Sequence, residues 1–204
     1  PKPAGKPRPT AGATPQAAVA AAQRDAKQKI DRSQYATVTE LGQLEAWIAE
    51  ARAAGRLAFD LETTSLDPMQ AEFVGFSLAV APAKACYVPL GHRPASDAFD
   101  FGDAQVKQVA VRDALDHLKP LLEDPSILKI GQNLKFDRLV LLRHGIDLAP
   151  LDDTMLLSYA LDGGRGQHGL DALAERHLGH TCISFTQVLE HAPGAKKSDK
   201  TFAQ

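Results

Sequence analysis

Two acids two residues apart, Asp60 and Glu62, lie in Leu57-Ala58-Phe59-Asp60-Leu61-Glu62, where large apolar side chains alternate with small or acidic ones. On a β-strand that alternation sends Leu57, Phe59 and Leu61 to one face and both carboxylates to the other, about 7 Å apart. Like charges this close repel unless a proton or a cation compensates them. A hard divalent metal meets that need, because Mg²⁺ takes oxygen ligands from one or two carboxylates together with phosphate oxygens. A solvated strand edge is the other reading of the pair. A third carboxylate, Asp137, lies in Asn133 to Leu142, where Leu134, Asp137 and Leu141 share one face of a helix. An unpaired charge in a core-facing stripe costs several kcal/mol, so Asp137 must be paired, hydrogen-bonded or near a metal. Lys135, Arg138 and Arg143 are the ion-pair partners that the local sequence offers.

These acids need a scaffold that brings them together. Ile127 to Gln132 reads as a short buried strand, and Asn133 as the cap of the helix that follows. Upstream, Ser33 to Val38 predicts a strand. Thr39 then caps a helix whose Leu41, Leu44, Trp47, Ile48 and Ala51 follow one face until Gly55 stops it. Arg56 to Glu62, Glu72 to Val80 and Ala85 to Leu90 follow as strands, and their short connections favour antiparallel neighbours. A helical pattern from Asp103 to Glu123 crosses over to Ile127 to Gln132, which should lie parallel to the Asp60 strand. The expected architecture is α/β, a mixed five-stranded sheet flanked by helices, with Asp60, Glu62 and the start of the Asn133 helix at one edge. Beyond it, Asp153 is placed to cap the helix of Thr154 to Tyr159, and Leu170, Leu173, Ala174, His177 and Leu178 mark a further amphipathic helix. Gly163 to Gly166 is too irregular for a nucleotide-binding loop, and His168, His177 and His180 match no zinc spacing.

The 204 residues are 44% hydrophobic and 24% charged with a net charge of −2, which suits one globular domain plus a tail. Residues 1–29 are rich in Pro and Ala, with six basic residues to one acid, and read as a linker; residues 30–204 read as the folded domain. Pro1 is not an initiator Met, so the expected context is a longer polypeptide. Cys86 and Cys182 stand in no metal-ligand spacing. No run approaches the length of a membrane span and the N-terminus lacks the apolar core of a signal peptide, which leads to the cytoplasm as the expected compartment.

Phe59-Asp60-Leu61-Glu62-Thr63-Thr64-Ser65-Leu66-Asp67 resembles the first motif, and Gly131-Gln132-Asn133-Leu134-Lys135-Phe136-Asp137 the second, of the 3′–5′ proofreading exonuclease domain of bacterial family-A DNA polymerases. The resemblance continues through Leu118 to Glu123, Asp153-Thr154-Met155-Leu156 and His168 to Arg176, and so covers roughly Ile30 to Gln204. It implies an RNase H-like domain that removes 3′-terminal nucleotides with two Mg²⁺ ions, for which Mn²⁺ can substitute. On this reading Asp60 bridges both ions, Glu62 ligates the first and orients the attacking water, and Asp137 holds the second. Thr63, Leu66, Asn133 and Phe136 would bind the strand end, with Leu66 wedged against the terminal base. The partners implied are a single-stranded or frayed DNA 3′ end, and 5′ nuclease and polymerase domains covalently linked in the parent chain. Two departures stand out. Gln167 occupies a position where the family has a basic residue, with Arg165 the nearest substitute, and the family's third motif, Tyr-x-x-x-Asp, is expected beyond Gln204. The isolated piece should therefore bind metal weakly and show little or no turnover. An RNase D-like RNA exonuclease, or a module that binds DNA without cutting it, are the competing expectations.

Overall fold

In the computed structural model, Ser33, residues 35–93, residues 107–184 and Gln187 are described; the linker expected over residues 1–29 lies outside them. Described elements run β1 (Ala36–Thr37), α1 (Leu41–Ala54), β2 (Arg56–Thr63), β3 (Phe73–Ala81), β4 (Lys84–Pro89), α2 (Val111–Leu122), β5 (Leu128–Gly131), α3 (Leu134–Leu142), β6 (Leu151–Asp153), α4 (Thr154–Asp162) and α5 (Leu170–Leu178). The strands form one sheet of order β1-β4-β3-β2-β5-β6. β2, β3 and β4 pair antiparallel through short connections, while β5 lies parallel to β2 after the α2 crossover, as the connection lengths require. The sheet is mixed as expected but has six strands among the described residues: Leu151–Asp153 adds to β5 in parallel, and three residues are too few to show a period.

Leu57, Phe59 and Leu61 of β2 are buried with Phe76 and Leu78 of β3, Val88 of β4, and Leu118, Leu121 and Leu122 of α2. Phe59 and Phe76 stack at 5.9 Å between ring centroids. Full burial of each such side chain contributes about 2 kcal/mol, which fixes β2 as a central strand. Two boundaries differ from the periodic reading. Residues 107–110 are not helical, and α2 starts after extended Ala110, because buried Val109 donates its N–H to the Pro89 carbonyl at 3.3 Å and so serves the sheet. The part of that pattern before residue 107 lies outside the described residues. At α1 the N-cap is Glu40 rather than Thr39; the Gln43 Oε1 accepts the N–H groups of Thr39 and Glu40 at 3.0 and 3.3 Å. Gly55 closes α1 in the left-handed region at φ 66°, as its position at the helix end demands. Among the described residues Cys86 and Cys182 are free thiols, and no helix is long and apolar enough to cross a membrane.

Candidate active site

β2 delivers two acids because the alternation of its side chains is obeyed along its length: Leu57, Phe59 and Leu61 are buried, and Asp60 and Glu62 lie on the opposite face. The pairing with β5 ends at Ala58↔Ile130, so Leu61 has no sheet partner on that side. Its N–H instead donates to Asp137 Oδ1 at 2.8 Å, which joins α3 to the strand between the two acids. On the other side, Glu62 stands opposite Gly75 of β3, and a Cβ on Gly75 would lie 2.2 Å from the Tyr87 hydroxyl. The Tyr87 ring therefore lies over Gly75, on the Glu62 face, with its hydroxyl hydrogen-bonded to His92 Nε2 at 2.7 Å.

α3 is set by a turn at its start. Gly131 has no room for a side chain, since a Cβ would lie 2.6 Å from the Phe59 carbonyl, and Asn133 takes the left-handed conformation at φ 59°, ψ 36°. Asn133 occupies the N-cap position but makes no side-chain capping bond, contrary to the sequence expectation: the left-handed backbone turns it away from the usual extended cap geometry. Its backbone N–H donates to Asp153 Oδ1 at 3.0 Å. That oxygen also accepts from Met155 and Leu156 at 2.9 and 3.3 Å, so Asp153 caps α4 as expected while tethering the turn that leads into α3. Asp153 is 3% exposed. Asp137 is also 3% exposed, on a face shared with buried Leu134 and Leu141. None of the expected cations pairs with it. Arg138 bonds Asp147 at 2.7 Å, Arg143 turns to the β2–β3 loop, and Lys135 is exposed.

Among the described residues, burial therefore acts on these acids without a compensating charge. It pushes the Asp137 carboxyl up to about 7, with the charges of Asp60 and Asp153 adding to the effect and the Leu61 N–H opposing it. Glu62 also rises to about 7, from burial first and then from Asp60. Asp60 keeps contact with solvent, yet the protein around its carboxyl raises it too. Among the described residues no group of three or more His, Cys, Asp or Glu side chains is arranged as a ready-made metal cage. The donor set nevertheless fits a hard cation: all oxygen, mutually repelling, and open on one side, which suits an ion that keeps waters and substrate oxygens in its shell.

A family model described as a 3′–5′ exonuclease matches residues 35–193. The chain belongs to that exonuclease family. DNA polymerase I of Rhizobium leguminosarum is 50% identical over 181 residues, covering 84% of this chain, and that of Pseudomonas aeruginosa is 41% identical over 167 residues, covering 80%. The chain spans only 17% of the length of either relative. Among solved structures, Escherichia coli RNase D superposes with a TM-score of 0.56 at 20% identity, covering 83% of this chain and 37% of that one, a likeness of fold. In this exonuclease-family chain, Thr63 and Leu66 follow Glu62 at the end of β2, while Phe136 and His168 lie on other elements. Thr63 ends the strand, its hydroxyl donating to the Ser65 carbonyl at 3.1 Å. Leu66 follows and is 97% exposed, so loop packing does not explain it. Phe136 is half-buried against the core, one residue before Asp137. His168 is a core histidine: it bonds Ser158 Oγ at 2.7 Å and stacks on Tyr159, while its carbonyl accepts from Gln132 Nε2 at 2.8 Å. Tyr87 escaped the sequence reading, and Arg143 enters it only as an ion-pair candidate for Asp137; a tyrosine in a strand and an arginine at a helix end carry no local signal of the glycine or loop they contact.

Proposed function

We propose that this chain removes nucleotides from DNA 3′ ends by metal-dependent hydrolysis, as the exonuclease segment of a larger polypeptide that carries polymerase and 5′ nuclease activities in the cytoplasm. The observation that supports the reading is the bond from the Leu61 N–H, between Asp60 and Glu62, to buried Asp137, which pairs with no cation among the described residues. Asp60, Glu62 and Asp137 would hold two Mg²⁺ ions, or Mn²⁺ in their place. When bound, such ions lower the pKa of the attacking water and neutralise charge on the phosphate being cut. The chain itself supplies position. The Leu61 N–H fixes the Asp137 oxygen, Glu62 faces the water, and exposed Leu66 presses on the terminal base. Asn133 and Phe136 line the strand end and Thr63 holds the start of the loop. Contacts of this apolar kind accept any base, and a mispaired terminus frays into such a site more cheaply than a paired one.

Family and relatives favour DNA over RNA, since the sequence relatives at 50% and 41% identity are DNA polymerases I. The test uses single-stranded DNA and RNA of one sequence, 3′-labelled, with Mg²⁺, against the intact polypeptide and its Asp60→Ala form. DNA cleavage that needs Asp60 supports the proposal. A preference for RNA, or binding of DNA with no cleavage in either form, overturns it.

A further inference from the structure

Leu66 is 97% exposed in a loop that reaches the hydrophobic core only near its end, through buried Ala71. Residues 64–72 leave β2 and return as β3, and the neck of the loop is closed by the Thr64 N–H on the Glu72 carbonyl and the Glu72 N–H on Thr64 Oγ1, both at 3.0 Å. Within it, Asp67 Oδ1 accepts the Met69 N–H at 2.9 Å, and the Asp67 carbonyl accepts from Gln70 and Ala71 at 3.0 and 2.9 Å. These bonds give the loop a shape but do not orient it against the rest of the molecule. Among the described residues, apart from the Thr63 hydroxyl on the Ser65 carbonyl at the start of the loop, the hydrogen bonds that do so come from one side chain. Arg143, at the C-terminal end of α3, donates Nη1 to the carbonyls of Pro68 and Ala71 at 3.1 and 2.6 Å and sets Nη2 at 3.4 Å from Glu72 Oε1. Its side chain is three-quarters buried, so the fork is held in place, and its charge also suits a helix C-terminus.

We propose that Arg143 is a positioning residue: it clamps the loop bearing Leu66 to the helix bearing Asp137, and so sets the contact between Leu66 and the 3′-terminal base. The inference rests on the assignment of Leu66 to the strand end made above. One rigid connection then links the side chain that presses on the base to the carboxylate that faces the phosphate, because α3 carries Asp137 and is capped at its C-terminal end by Arg143. A planar fork that reaches two carbonyls and a carboxylate holds an orientation that a single ammonium cannot.

The experiment compares binding of two single-stranded oligodeoxynucleotides, one ending in 2-aminopurine and one in an abasic 3′ residue, with Ca²⁺ present to suppress cleavage. The intact polypeptide and its Arg143→Ala, Arg143→Lys and Leu66→Ala forms are measured. Arg143→Ala should weaken binding of the base-bearing end about tenfold, part of what burying a leucine against a base supplies, and leave the abasic end unchanged. Arg143→Lys should recover part of the loss, and Arg143→Ala should add nothing to Leu66→Ala in the double variant. Equal loss on both ends, or additive losses in the double variant, would overturn the proposal, as would a parent that binds both ends alike. Mg²⁺-dependent cleavage that still requires Asp60 would show that only the clamp has failed; its absence would show that the exonuclease reading has.

Discussion

Replacing Asp137 by Asn changes one atom and removes one charge from a position that is 3% exposed, yet the Asn Oδ1 can still accept the Leu61 N–H that Asp137 Oδ1 takes at 2.8 Å. The folded carboxyl rises to about 7 from an ordinary value of 3.8. A carboxyl with a raised folded pKa binds its proton more tightly in the folded chain than in the unfolded one, so the fold is favoured most at low pH. Stability is then lost as pH rises from about 4 to about 7, at up to about 1.4 kcal/mol per pH unit. The accumulated penalty is on the order of 4 kcal/mol at pH 8, an upper bound because Asp60 and Glu62 titrate with it. Asp137→Asn should therefore melt close to the parent at pH 4 and above it at pH 8 without divalent ions, by roughly 5–10 °C for a domain of this size. Added Mg²⁺ should raise the parent at pH 8 by neutralising the acids and raise the variant much less, while cleavage is lost in the variant. Thermal melts across pH, with Mg²⁺ and with a chelator, read all of this. A variant that melts below the parent at pH 8, or keeps the parent's pH dependence, would refute the claim that Asp137 is an uncompensated buried charge.

Leu66→Ala should leave stability within about 0.5 kcal/mol, since the residue is 97% exposed, and still weaken capture of 3′ ends; a stability loss on chemical denaturation would show that the loop is packed after all. Asn133→Gly should be neutral or slightly stabilising, because φ is 59° and its buried Oδ1 has no partner, while oligonucleotide binding falls. Gly131→Ala should cost several kcal/mol, the new Cβ meeting the Phe59 carbonyl at 2.6 Å, and a denaturant midpoint unchanged from the parent would contradict the turn geometry. Asp153→Ala removes an acceptor of three N–H groups and should cost about 2 kcal/mol, yet the folded fraction should cleave within about tenfold of the parent. Active-site titration normalised to folded protein decides the last case.

Where side chains repeat with the period of their element, the sequence was enough. β2 shows its two faces in six residues, and the stripe of Leu134, Asp137 and Leu141 announces a buried acid before any fold is known. The same logic predicted the parallel placement of β5, since a helix-length connection permits little else. It failed where a residue answers to a distant partner. Val109 fits the helical pattern that follows it, but its N–H goes to Pro89, and that bond outweighs one helical turn. β6 is three residues long, and its existence depends on the exposed edge of β5 rather than on its own composition.

Asp137 and Arg143 show why a site is harder to read than a scaffold. Asp137 lies on α3 and Arg143 caps its C-terminal end, and an ion pair with a nearby base is one of the outcomes the sequence leaves open for the acid. That pairing does not form, because each side chain has a stronger claim from the backbone of β2 and its loop. Leu61 has an N–H that β5 does not reach, and the turn at Pro68 to Ala71 has carbonyls left over from the loop's own bonds. A buried backbone donor left without a partner costs as much as most surface ion pairs return several times over. The acid therefore goes to the amide and the base to the carbonyls. Denied its ion pair in this way, Asp137 is left to the charge of Asp60, which Glu62 also feels, and on the proposed function a cation from solution would relieve both.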